Sequence, residues 1–102
     1  VLATFISWIF LTAAMAVTPE EGAGLMQKYG CAACHQIDRT LVGPAYNAVA
    51  NQYRTDPDAK AKLFSKIKNG GSGTWGQLPM PSNVSVPDKD IQKLVEWILS
   101  IQ

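Results

Sequence analysis

Two cysteines and the only histidine of a 102-residue chain stand together at Cys31-Ala32-Ala33-Cys34-His35. That pentad constrains the fold more than any other feature. A zinc site draws on four Cys or His side chains as a rule, and the chain has three in all. A thioredoxin-like dithiol needs a βαβ setting, and no strand pattern surrounds the motif. A plain disulfide needs no neighbouring histidine. Two thiols separated by two residues, with an imidazole directly after, instead suit covalent attachment of a c-type haem: each sulfur adds to one vinyl group, and His35 supplies a nitrogen to the iron.

A haem also solves a size problem. Residues 1–17 carry no charge and only Thr4, Ser7 and Thr12 as polar side chains, and every charged residue lies at Glu20 or beyond. Such a break marks a targeting or membrane segment, and Ala14-Met15-Ala16 has the small-x-small pattern of a signal-peptidase site. We therefore expect a signal peptide over 1–16 and a folded domain over 17–102. The alternative is a retained anchor, although seventeen helical residues reach only about 25 Å of a ~30 Å hydrocarbon core. Either way the domain is exported, to the periplasm or the periplasmic face of the inner membrane. The domain is near the lower limit for folding on apolar side chains alone, so a buried cofactor would supply missing hydrophobic surface. Nine basic against eight acidic residues give a formal charge of +1, which offers no polybasic surface for nucleic acid.

The domain reads as helices joined by Gly- and Pro-rich loops, an all-α class. Thr18-Pro19-Glu20-Glu21 predicts a first helix with Thr18 as cap and Glu21 completing a capping box. It runs to about Gly30 with Ala23, Met26 and Tyr29 facing inward, and Gly22 and Gly24 as a close-contact surface. A short helix follows Gly43-Pro44 through Tyr46, Val49, Ala50 and Tyr53. A third opens at Asp56-Pro57, turns Leu63, Phe64 and Ile67 inward, and stops at Asn69-Gly70-Gly71. Its Lys60, Lys62, Lys66 and Lys68 read as a solvated face. Four glycines and three prolines make residues 70–87 a long ordered loop. A last helix, from about Pro87 to Ser100, carries Ile91, Leu94, Val95, Ile98 and Leu99 as one apolar stripe widened by Trp97.

The second face of a His-bound iron decides its use: left open it binds small molecules or does chemistry, and closed by a thioether it shuttles electrons. Of three methionines, Met15 falls in the targeting segment and Met26 reads as core packing. Met80 sits in the long loop between Pro79 and Pro81, which stiffen the backbone around it. An apolar loop plug is the plainer use of such a methionine. Beside the Cys-x-x-Cys-His motif, we expect Met80 to be the second axial ligand and the chain to be an electron carrier, not an enzyme.

Beyond the pentad, the ordered set Val42-Gly43-Pro44-Ala45-Tyr46, Ile67-Lys68-Asn69-Gly70, Trp75-Gly76, Pro79-Met80-Pro81 and Trp97-Ile98-Leu99-Ser100 resembles the small bacterial class I cytochromes c that donate electrons to nitrite reductases or terminal oxidases. The resemblance runs from about Glu20 to the C-terminus. It implies a class I cytochrome c fold, about four short helices around one covalent haem c, with the first helix crossing the last. It implies thioethers at Cys31 and Cys34, iron ligation by His35 and Met80, and a Pro44 carbonyl that accepts from His35. By the same analogy Trp75 bonds a haem propionate and Asn83 helps hold the methionine. The implied partners are redox proteins: a cytochrome bc1-type complex as donor and a terminal oxidase or nitrite reductase as acceptor, with the carrier itself a monomer. Membrane contact then follows only from retention of the N-terminal segment. Ser82 stands where relatives often have a third proline. Pro87 replaces a common capping serine, so Ser85 is expected to cap the last helix.

Overall fold

The computed structural model describes residues 2–8 and 16–102. Residues 2–8 form no helix or strand, and the Leu2, Phe5, Ile6 and Trp8 side chains there are exposed. The Ala14-Met15-Ala16 site lies largely outside the described residues. Among those described, no helix is long and apolar enough to cross a membrane.

The described residues form four helices: α1 (Pro19–Lys28), α2 (Tyr46–Tyr53), α3 (Ala59–Asn69) and α4 (Asp88–Ser100). A single 3₁₀ turn, Cys31–Ala33, comes between α1 and α2. The Thr18 hydroxyl accepts from the Glu21 backbone N–H at 3.1 Å and starts α1 as expected. Only half of the capping box forms, because the Glu21 carboxylate turns to Lys93 Nζ on α4, 2.9 Å away. Gly30 ends the segment in the left-handed region, φ 74°, where a side chain would be strained.

Helix α4 is the centre of the packing and contacts α1, α2 and α3. Its stripe is buried as its spacing predicts, with Ile91 and Leu94 fully enclosed and Val95, Trp97 and Ile98 nearly so. Each such side chain contributes about 1.5–3 kcal/mol by leaving water. Leu99 is only half-buried, at the edge of the stripe. Met26 joins this core, as does Val86 just ahead of α4.

The expected crossing of first and last helices is present, and Gly22 makes it possible. A Cβ at that position would overlap the Trp97 ring. Gly24 has no such neighbour and is exposed, so only one of the two glycines serves the contact. Tyr29 and Asp90 join the same two helices, the phenol donating to the carboxylate.

Several local expectations need correction. Asp56 does not cap α3; its Oδ1 accepts from the Asp58 N–H at 2.8 Å in an Asx turn, and the helix begins at Ala59. Phe64 is half-buried. The lysine face of α3 is not uniformly solvated. Lys62 pairs with Asp56 at 2.7 Å, and Lys68 reaches Val86 O (3.1 Å) and Asp88 (2.8 Å), tying α3 to the start of α4. Ser85 does not cap α4; Pro87 takes the cap position without a side-chain bond, and its ring sets the extended turn.

The 70–87 segment contains structure that its composition conceals. Gly71–Gly73 (β1) and Gly76–Met80 (β2) pair as an antiparallel ribbon, Gly71 opposite Met80 and Gly73 opposite Gly76. Gly70, at φ 71°, lets the chain leave α3 against the Met80 and Pro81 backbone; a Cβ there would lie 2.8 Å from the Pro81 carbonyl carbon.

Candidate functional site

A cleft partly open to solvent, about 1080 Å³ when the open space at its mouth is counted, runs between the 3₁₀ turn, α2, α3, the ribbon and α4. Cys31, Cys34, His35 and Met80 all line it. The linings between them are mostly apolar, with Val49, Leu63, Leu94 and Ile98 contributed by three helices. Four residues chosen from sequence are therefore brought to one cavity. Trp75, in the turn between β1 and β2, stands on its rim, 45% exposed.

The turn places the two cysteines by its own hydrogen bonds. Cys34 N and His35 N both donate to the Cys31 carbonyl, at 3.1 and 2.9 Å, winding the pentad into one tight coil. Both cysteines are free thiols. Burial pushes the Cys31 thiol up from its ordinary value, partly offset by the Tyr46 hydroxyl beside it.

His35 is nearly buried and well fixed. Its Nδ1 lies 2.8 Å from the Pro44 carbonyl, so that nitrogen donates and Nε2 is the ring nitrogen left for a metal. The loop between them is closed by Gly43 N donating to Cys34 O at 2.7 Å and by a bridge from His35 to Thr40. A backbone carbonyl of this kind orients a ligating imidazole and raises its basicity.

Asn83 lies outside the cleft lining. Its Nδ2 donates to Ile67 O at 3.0 Å and Pro81 O at 3.4 Å, clamping the residue after Met80 to the end of α3.

The donor set suits a haem better than a bare ion. Among the described residues no three His, Cys, Asp or Glu side chains gather as a metal-binding group. One imidazole and one thioether lining the same apolar cleft suit the two axial positions of a haem iron, and two free thiols next to the imidazole in the chain suit its covalent attachment. One residue lining this cleft was given by sequence only as part of the second helix and of the Val42–Tyr46 resemblance: Tyr46, whose ring stacks on His35. Its position two residues after Pro44, at the start of a helix, was the available signal.

A cytochrome c family model matches residues 19–102. Cytochrome c-551 of Allochromatium vinosum is 49% identical over 90 residues, covering 86% of this chain and 96% of the relative. Cytochrome c-552 of Nitrosomonas europaea is 44% identical over 101 residues, covering 99% and 95%. The crystal structure of wild-type Nitrosomonas europaea cytochrome c552 superposes with a TM-score of 0.76 at 48% identity, over 78% of this chain and 99% of that one. With cleft, donor set and relatives in agreement, the chain belongs to the cytochrome c family, as a small class I monohaem electron carrier with one covalently attached haem c.

Proposed function

We propose that Cys31 and Cys34 carry the haem as thioethers, that His35 and Met80 are its axial ligands, and that the protein relays single electrons between larger redox proteins without making or breaking bonds in a substrate. The observation that carries this reading is the convergence of all four side chains on one apolar cleft, with His35 already oriented by Pro44. When bound, the haem supplies a ferrous/ferric couple whose potential thioether ligation raises. The protein's part is to keep both ligands still. Pro44 holds the imidazole, while Pro79, Pro81 and the Asn83 clamp hold the backbone of Met80. A ligand set that does not move costs little reorganisation at each electron transfer. Trp75, on the cleft rim, is the proposed donor to a propionate.

The domain limits, compartment and partners belong to the same proposal. The uncharged 1–16 run supports export with cleavage after Ala16 and a periplasmic carrier of residues 17–102, monomeric in its encounters. A bc1-type complex as donor and a terminal oxidase or nitrite reductase as acceptor fit that compartment, through transient contacts below about 1,200 Å².

The test is an optical spectrum of the oxidised protein made in a host that attaches c-type haem. The weak far-red absorption of sulfur-ligated ferric haem is expected in the parent and lost in Met80→Ala, with covalent haem retained in both. A parent without that band would remove Met80 from the iron. A parent without covalent haem would remove the cysteine assignment as well. The intact mass of the exported protein reads the cleavage site directly.

A further inference from the structure

Two aromatic contacts meet at one ring. Tyr46 is the first residue of α2 and is 5% exposed. Its ring lies against the His35 imidazole, centroids 5.0 Å apart and planes within 22° of parallel. Trp97 of α4 meets it edge to face, at 5.7 Å and 85°. The Tyr46 backbone N–H donates to Gln36 O at 2.9 Å, so the start of α2 is tied to the residue that follows the histidine.

The bond to Pro44 does not by itself fix the imidazole plane. The outer torsion of a histidine sits in a broad well, and a hydrogen bond to a carbonyl tolerates about 30° of bending before it weakens. Something flat must limit the swing. The Gly43 backbone closes in on the ring, since a Cβ there would lie 2.8 Å from Nδ1. Tyr46 offers the larger surface, and Trp97 stops Tyr46 from retreating into the core. Trp97 in turn is packed against Gly22 of α1. A column of packed side chains thus runs from the helix crossing to the imidazole.

We propose that Tyr46 is a positioning residue that sets the plane of the His35 imidazole, with Trp97 as its backstop. This rests on the assignment of His35 as an axial ligand. The plane of an axial imidazole determines which iron orbital it overlaps, and therefore how unpaired spin is spread around a ferric porphyrin.

Proton NMR of the oxidised holoprotein reads that plane through the four ring-methyl shifts. Tyr46→Phe keeps the stack and should keep the parent order of shifts. Tyr46→Leu removes the stack and should reorder them or narrow their spread, with the far-red band still present. A folded Tyr46→Leu protein with the parent methyl pattern would overturn the proposal and leave Tyr46 as core filling. If Tyr46→Leu fails to fold, Trp97→Phe gives the reading instead: a changed pattern supports the column and an unchanged one overturns it. The parent spectrum separates the two assignments. His35 ring protons without paramagnetic shifts would end the ligand reading before any variant is compared, whereas shifted His35 protons with inert variants would end the Tyr46 proposal alone.

Discussion

Placing the same methyl group at Gly22 and at Gly24, one at a time, should move stability in opposite directions. Both glycines lie inside α1 with helical backbone, so alanine at either gains about 0.8–1 kcal/mol of helix propensity. At Gly24 nothing lies within 4 Å of the new Cβ, so the gain stands uncorrected. Gly24→Ala should therefore add about 1 kcal/mol and raise Tm by roughly 4–8 °C for a domain of this size. At Gly22 the new Cβ would overlap the Trp97 ring. Trp97 is 3% exposed and has Tyr46 edge-on against it, so it has nowhere to withdraw. Overpacking costs about 1–3 kcal/mol, and this site belongs at the upper end. After the propensity gain, Gly22→Ala should lose about 1–2 kcal/mol. Guanidinium unfolding of the two holoproteins, followed by far-UV circular dichroism, measures both, with a shifted midpoint at unchanged slope marking a true stability effect. A Gly22→Ala protein as stable as Gly24→Ala would refute the close crossing of α1 and α4.

Two further perturbations test the links around the cleft. Asn83→Ala removes the clamp on Pro81 and Ile67 and should cost about 1–2 kcal/mol; far-red absorption that weakens at lower temperature than in the parent would show that the Met80 loop is what loosens. Tyr29 is held above the ordinary phenol value by its bond to Asp90 first, then by burial and the Asp90 charge. A raised folded value means this contribution is whole below about pH 10 and is lost as pH climbs through the folded value. Tyr29→Phe should therefore flatten the alkaline limb of a stability–pH profile, and an unchanged limb would place the alkaline loss elsewhere.

What could be read beforehand divides along physical lines. The α4 stripe was legible because its residues repeat with the helical period and all of them face one core. The cleft residues were legible because thiol, imidazole and thioether are rare side chains with narrow uses. Gly24 was misplaced beside Gly22 because residues two apart on a helix point to nearly opposite sides, and a glycine carries no polarity to say which side is buried. The β1–β2 ribbon was invisible for a related reason. Strands announce themselves by alternating side chains, and Gly71–Gly73 has almost none to alternate. Asp56 and Ser85 failed as caps because each is a local competitor whose outcome depends on a partner elsewhere: Lys62 takes part of Asp56, and Pro87 pre-sets the turn that Ser85 was expected to make. Tyr46 was placed on the second helix but not against His35, since a stack across a loop leaves no periodic trace.

The crossing of α1 with α4 joins residues 72 and 61 positions apart, Lys93 with Glu21 and Asp90 with Tyr29. Such distant pairings place the fold at the slow end for helical domains, because loop closure must precede them. They also set an order of events along a chain made from its N-terminus. The Cys31–His35 pentad emerges early, while Met80, Leu94 and Ile98, which wall the same cleft, emerge later and in part last. For that interval both thiols sit on an open chain, reachable from every side. The fold that later shelters them cannot begin to exclude anything until its final helix has arrived.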